Sequence, residues 1–294
     1  MTNQTAFTLV DPQNGNLAFK LLEFDSLNQF DHVQRNNYYT LLWFRSGSGK
    51  VRADFSEYPV LHESLFAFTP YQPFMLFDCE NLHGIAIQFH PDFFCIFKHQ
   101  TEVSCNGILF NNIYDPPFVM VDAPGVETFH LLLSQMKTEM QRAALAQYES
   151  LVAYLKILLI TATRLKTEQQ PEAAIEANQV REPFILQQLK DAIERDFKSK
   201  HSASDYAESL SITPKALGKL TKSHFNKTLT ELISERIIIE AKRELYLTNK
   251  TVKEIAYELG YSDEYYFSRF FKTNAAISPQ MYRDTVGFAR AVSM

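Results

Sequence analysis

Cysteine is scarce in this chain. Cys79, Cys95 and Cys105 are an odd set without CxxC spacing, which supplies neither a disulfide framework nor a zinc site, so buried thiols are expected. No two histidines stand one residue apart: His32, His62, His83, His90 and His99 are scattered through the first hundred residues. No apolar run approaches the ~20 residues that cross a bilayer. The polar start MTNQT lacks the basic-then-apolar order of a signal peptide. A cytoplasmic chain with no membrane partner is expected. A strong excess of one charge is missing too: the net charge is −5, which argues against a protein that simply coats DNA.

The 294 residues, 46% hydrophobic and 21% charged, suit a globular protein with room for two cores. The charge is uneven. Residues 1–180 hold 11 basic and 19 acidic side chains, and residues 181–294 hold 18 and 15. An acidic first part ahead of a mildly basic second part fits nucleic-acid binding confined to the second.

From about Leu17 to about Phe89 the chain runs through short aromatic and β-branched segments: LAFKLLEF, YYTLLWF, KVRADF, LFAF, FMLF and GIAIQF. Turn signals separate them, namely Ser46 to Gly49, Tyr58-Pro59, Thr69 to Pro73 and Asn81 to Gly84. That rhythm predicts an antiparallel sandwich or barrel. The SGSG run is too short and wrongly placed for a phosphate loop and is read as a hairpin turn. From Val126 the period becomes helical. Phe129, Leu133, Met136 and Met140 form one stripe; Leu151, Leu155, Leu158, Ala162 and Leu165 form a second. Both could cover the barrel, and the second also reads as a heptad seam between subunits. Residues 167–183 carry no stripe and read as a linker.

The densest signal lies between Thr251 and Lys272, TVKEIAYELGYSDEYYFSRFFK. Thr251 and Glu254 form a capping box for a helix with Ile255, Ala256 and Leu259 on its apolar face. Gly260 sits where that helix needs a left-handed stop. Ser262 is placed to cap the next helix, and Asp263 and Glu264 suit its positive end. There Phe267, Phe270 and Phe271 point inward, leaving Glu264, Tyr265, Ser268, Arg269 and Lys272 on the other side. A similar pair lies upstream: Ser204 to Leu210, then a helix opened by Thr213-Pro214. That helix buries Leu217, Leu220 and Phe225 and turns Lys215, Gly218, Lys219 and Lys222 outward. Between the pairs, residues 229–247 favour one helix, long enough with the heads' width added to approach the ~34 Å of a DNA turn.

EIAYELGY, YFSRFFK and SPQMYR (Ser278 to Arg283) together resemble the C-terminal signature of the AraC/XylS family of bacterial transcription regulators. The resemblance covers about the last hundred residues. It implies an all-α domain of two helix-turn-helix units joined by a long helix, reading double-stranded DNA. By alignment with the family's motif, Thr213, Lys215, Gly218 and Lys219 take its base- or backbone-contacting places in the first head. Glu264, Tyr265, Ser268 and Arg269 take them in the second. Gly218 offers no side chain to a base edge. Asn226 and Ala276 stand where the family usually has glycine, so helix ends built differently are expected there.

The first part more loosely resembles the cupin-like barrel that many such regulators carry. The expected architecture is therefore a two-domain α+β chain: a sensing barrel over 1–125, a helical dimerisation segment over 126–166, the linker, and the DNA-binding domain over 184–294. Cupin enzymes hold a metal with two histidines one residue apart, and none are so placed here. The barrel is read as metal-free, non-catalytic and without a cofactor. It could enclose a small effector. Tyr39, Leu41 and Trp43 share one strand face and are candidate ligand contacts, or core filling; Tyr38, Thr40, Leu42 and Phe44 share the other. The resemblance further implies a homodimer through the second stripe, contact with RNA polymerase, and activation. The rival readings are a degenerate barrel that only dimerises under a protein partner's control, and an enzyme fused to a DNA-binding module.

Overall fold

A computed structural model describes residues 6–11, 15, 17–25, 29–54, 56–99, 107–142, 145–169 and 184–286. Cys105 and most of the expected linker lie outside these. The chain divides into two compact units, Met1–Asn112 with Pro116–Glu176, and Ile113–Asp115 with Ala177–Met294.

The first unit carries an antiparallel sheet of β1 (Ala6–Val10), β2 (Leu17–Phe24), β3 (Tyr39–Ala53), β4 (Ser56–Val60), β5 (Ser64–Phe68), β6 (Phe74–Phe89) and β7 (Phe118–Met120). Its order is β1-β2-β6-β3-β5-β7, with β4 paired to the far half of β3. Among the described residues no pairing joins β1 to β7. Two helices follow, α1 (Ala123–Gln141) and α2 (Gln147–Glu168).

Two expected turns prove to be bulges. The run Ser46 to Gly49 lies inside the continuous strand β3, and Asn81 to Gly84 lies inside β6. Their pairing shifts register at Phe44/Ser46, Ser46/Ser48 and Ser48/Lys50. The glycines are needed here because the two strands press together. A Cβ on Gly47, whose φ is +89°, would lie 2.3 Å from the Asn81 carbonyl oxygen. One on Gly49 would lie 2.4 Å from Cys79 Sγ. Extra residues bend a strand and change which face its side chains take. Before the bulges Leu42 and Phe44 enter the inner cluster, and after them Val51 and Ala53 do. One long strand thereby supplies both ends of a single core. Pro59, also read as a turn residue, sits in β4 opposite Lys50, on a strand that among the described residues pairs only with β3, where a missing N–H is tolerated.

That inner core is phenylalanine-rich: Phe24, Phe30, Phe44, Phe66, Phe68 and Phe74 are all buried in it. The opposite face of the sheet carries α1 and α2. Tyr39, Leu41 and Trp43 lie on this helix-covered face and are 4%, 0% and 1% exposed. Tyr39 stacks on Phe89, and Trp43 meets Phe129 of α1 edge-on.

The stripe Leu151, Leu155, Leu158, Ala162 and Leu165 is buried in the same core. The expected intersubunit seam is therefore corrected: a single chain already covers these side chains with its own sheet and α1. Heptad spacing alone does not distinguish the two uses, because both need one apolar face. Lys166 at the end of α2 is 6% exposed and donates from Nζ to the carbonyl oxygens of Phe118 (2.7 Å) and Pro116, tying the helix to β7.

The second unit is helical: α3 (Phe184–Asp196), α4 (Ala203–Ser209), α5 (Pro214–Phe225), α6 (Leu229–Leu247), α7 (Val252–Glu258), α8 (Glu264–Ala275) and α9 (Pro279–Val286). Helix α6 is continuous over 19 residues, as its sequence predicts, and spans about 28 Å. Thr228 and Glu231 close a capping box at its start. It buries side chains on more than one side, among them Leu232, Ile233, Ile237, Ile238, Ala241 and Leu245.

Each buried leucine contributes roughly 1.5–3 kcal/mol, and a carboxylate in its place adds a desolvation cost of several kcal/mol. The double variant Leu155→Asp with Leu158→Asp should lose the near-ultraviolet circular dichroism of its first unit. A folded monomer from that variant would return the stripe to the subunit interface.

Candidate nucleic-acid interface

Two helix pairs in the second unit are built alike. In α4–α5, Ser202 and Asp205 form a capping box, and in α7–α8 Thr251 and Glu254 do the same. Each first helix is stopped by a left-handed residue: Ser211 at φ +53° and Gly260 at φ +81°. Ser211 N–H donates to Glu208 O and Ile212 N–H to Ala207 O. Gly260 N–H and Tyr261 N–H make the matching bonds to Tyr257 O and Ala256 O. Gly260 is required for space as well as conformation, since a Cβ there would lie 2.1 Å from the Lys198 carbonyl oxygen.

The turns differ by one residue. Thr213 follows the first turn and caps α5, accepting the Ala216 amide at 3.2 Å. In the second turn Ser262 occupies that place, yet the cap falls on Asp263, a correction to the expected assignment. Asp263 accepts the amides of Tyr265 (3.1 Å) and Tyr266 (3.0 Å). A carboxylate has two acceptor oxygens where a hydroxyl has one, which favours the later cap.

With the caps superposed in sequence, the two second helices present matching outer faces. Lys215, Gly218, Lys219 and Lys222 on α5 correspond to Tyr265, Ser268, Arg269 and Lys272 on α8. The inner positions Leu217 and Thr221 correspond to Phe267 and Phe271, all 0% exposed. Leu220, Phe225 and Phe270, expected inward, are half-buried. Thr213 now corresponds to Asp263, so Glu264 has Pro214 as its counterpart and stands half-buried in the first turn of α8.

The outer faces are open. Lys215, Lys219, Lys222, Arg269 and Lys272 are exposed, and Tyr265 is 75% exposed. Gly218 has open space around its missing Cβ. Lys222 Nζ donates to the Asn226 carbonyl oxygen at 3.1 Å, holding its charge at the C-terminal end of α5. Tyr266, which the family motif does not single out, is 58% exposed, and its ring centroid lies 6.0 Å from the Arg269 guanidinium carbon. Thr273 on α8 and Ser223 at the matching position of α5 are exposed as well. The exposed face of α8 extends beyond the four positions that motif alignment selects.

Ring and ion contacts fix these faces from behind. Tyr261 packs on Phe267 and Phe270. Arg283 of α9 donates to the carbonyl oxygens of Leu245 (3.1 Å) and Lys250 (2.6 Å), capping α6 where it hands over to the second pair. Arg236 lies 3.9 Å from the centre of the Phe197 ring and pairs with Glu194 at 2.7 Å. Among the described residues no group of three or more histidine, cysteine or acidic side chains could hold a metal. No helix among them is long and apolar enough to cross a membrane.

A family model described as a helix-turn-helix domain matches residues 206–285, from within α4 to α9. The HTH-type transcriptional activator AarP of Providencia stuartii is 30% identical over 99 residues, covering 34% of this chain and 73% of AarP. The raffinose operon transcriptional regulatory protein RafR of Pediococcus pentosaceus is 28% identical over 95 residues, 32% of this chain; that stretch spans only 34% of RafR. The HTH-type transcriptional regulator YfiF of Bacillus subtilis (strain 168) is 21% identical over 262 residues, covering 85% of this chain and 78% of YfiF.

Asn226 and Ala276 both end their helices left-handed, at φ +56° and +64°, so the expected difference in construction is absent. Asn tolerates that conformation; alanine is strained by roughly 1–2 kcal/mol. Glycine would relieve the strain but cost about 0.5–1 kcal/mol more than alanine in chain entropy on folding. Ala276→Gly should therefore stabilise the second unit by about 0.5 kcal/mol in urea denaturation. A loss of stability would show that Ala276 is held by packing.

Proposed function

We propose that this chain, which belongs to the AraC/XylS family of transcription regulators, binds specific double-stranded DNA through α5 and α8 and responds to a small-molecule effector in its first unit. The observation that carries the reading is the duplicated exposed face, one rich in lysine and the other carrying Tyr265, Ser268 and Arg269, mounted at the two ends of one continuous helix. Helices of this kind enter the major groove, where arginine pairs with guanine O6 and N7 and lysine with phosphate or guanine. The length of α6 supports docking into successive grooves on one side of the duplex.

Thr213, Lys215, Gly218, Lys219 and Lys222 make up the first reading head in this proposal, and Glu264, Tyr265, Ser268, Arg269 and Lys272 the second. Glu264 has the weakest case because its carboxylate faces a polyanion. Activation through RNA polymerase and a homodimer follow family habit. The dimer contact then has to avoid Leu151, Leu155 and their stripe. A non-enzymatic role follows from the same reading.

DNA selection on the purified chain tests the proposal directly, and enrichment of no sequence would defeat it. Arg269→Ala should weaken specific binding by roughly 1–3 kcal/mol and relax preference at one or two base pairs. Lys222→Ala should instead lower affinity evenly across sequences and flatten the salt dependence by about one unit. A uniform loss in Arg269→Ala would make that side chain a phosphate contact.

The spacer has its own test. Two alanines inserted after Lys242 turn the second head by about 200° relative to the first. Specific affinity should then fall towards that of one head, because the second contact loses its high effective concentration. Circular dichroism must show retained helix. A folded insertion variant with unchanged affinity for the selected site would remove the rigid-spacer reading.

A further inference from the structure

SPQMYR, Ser278 to Arg283, is a part of the family signature to which the reading of DNA gives no task. It opens α9, and α9 opens as α6 does. Ser278 accepts the Met281 amide at 3.1 Å where Thr228 accepts the Glu231 amide at 3.2 Å. Counted from Ala276 and Asn226, the left-handed residues that end α8 and α5, Tyr282 and Arg283 take the places of Leu232 and Ile233. Tyr282 keeps the packing role: it is buried and meets the Phe271 ring of α8 edge-on. Arg283 departs from the pattern. Its counterpart Ile233 is a buried aliphatic side chain, and here a guanidinium stands instead.

That guanidinium spans the hand-over from α6 to α7. Its Nε donates to the Leu245 carbonyl oxygen at 3.1 Å, and its Nη2 to those of Lys250 at 2.6 Å and Thr248 at 3.4 Å. Leu245 lies in the last turn of α6, Thr248 is the C-cap, and Lys250 precedes Thr251, the N-cap of α7. One planar group thus ties down successive points of the turn, using carbonyls that a helix end leaves unsatisfied. The first head latches its own junction from within. There the Tyr206 hydroxyl of α4 donates to the Lys200 carbonyl oxygen at 3.1 Å, just ahead of the Ser202 cap. Ile255 holds the place of Tyr206 in α7, equally buried, and has no hydroxyl to offer. Lys250 Nζ does bridge Glu244 and Glu258 across the second junction, but largely exposed ion pairs of this kind hold little.

We infer that Arg283 is a positioning residue for DNA reading, setting the angle at which α8 carries Ser268 and Arg269 to the groove. It acts through those side chains rather than on a base. The inference rests on the regulatory reading above. A swing of the second head that moves the Arg269 guanidinium by about 1 Å takes it out of hydrogen-bond range of a base edge.

Selection from a random duplex DNA library by the full chain, repeated with Arg283→Lys and Arg283→Gln, tests the inference. Base pairs whose preference relaxes in Arg269→Ala or Tyr265→Ala mark the second head's share of the site, and the remainder marks the first head's. Lysine keeps the charge without the planar fork, and glutamine keeps two donors without the charge. Both variants should lose about tenfold in discrimination at the second head's base pairs while first-head preferences stay within about twofold. The salt dependence of binding should not change. Retained second-head discrimination in a folded variant overturns the inference. Equal loss at both heads does so too, as a general loss of structure, and so does a salt slope flatter by about one unit, the mark of a phosphate contact. If neither marker variant relaxes any base pair, the second head has nothing to position and the inference falls. Failure of both Arg283 variants to fold, read by urea denaturation, would assign Arg283 to the stability of the whole unit and end the positioning role. A parental chain that selects no sequence removes the regulatory reading itself. Selection by the parent with both variants unchanged removes only the role of Arg283.

Discussion

Helix α6 is the constraint on which the second unit depends. It packs against α3, α5, α7, α8 and α9, so both helix pairs are placed by reference to one rod. A helix used in this way cannot keep a single apolar stripe, and Ile237, Ile238 and Ile239 in succession wrap its apolar surface around the axis. Its ends are fixed as firmly as its sides, by the Thr228–Glu231 capping box and by the Arg283 guanidinium on its last carbonyls. Those end bonds matter because a frayed turn would alter the angle between heads. Two buried charges at this rod are held in ion pairs. Glu240, 7% exposed, receives Arg236 and Arg243, and Lys227 just before the helix meets Glu235 at 2.7 Å.

Much of this architecture was legible because it is local. Capping boxes, the left-handed glycine and the continuous spacer depend on residues within a few positions of one another, and Thr251, Glu254 and Gly260 do what their order predicts. Cap choice at Asp263 was harder, since Ser262 and Asp263 are both good caps and the decision turns on how many amides each can accept. The first unit was less legible for a related reason. Glycines at 47 and 49 look like a turn in sequence and become a bulge because β6 runs alongside. Stripe residues such as Leu155 look the same to the eye whether the partner is another subunit or this chain's own sheet. Arg45 and Lys137 carried no sequence signal at all, because their partners Glu63 and Glu23 come from other parts of the chain.

The one-residue difference between the turns has an electrostatic consequence for the proposed reader. The N-terminus of a helix attracts phosphate through its free amides and dipole. In α5 the cap is a neutral hydroxyl, and Lys215, Lys219 and Lys222 follow on the outer face, so positive potential is continuous from the cap onward. In α8 the cap is a carboxylate that occupies the Tyr265 and Tyr266 amides, with Glu264 beside it. Attraction of phosphate at that end is cancelled, and the favourable charge moves along the helix to Arg269 and Lys272. A lysine-faced head holds any duplex, because phosphate carries no sequence. A head whose entry is acidic gains only where Arg269, Ser268 and the exposed tyrosines find base edges that offset the repulsion. In the proposed reader, anchoring by the first head and discrimination by the second would follow from which residue caps each helix as well as from the side chains along it.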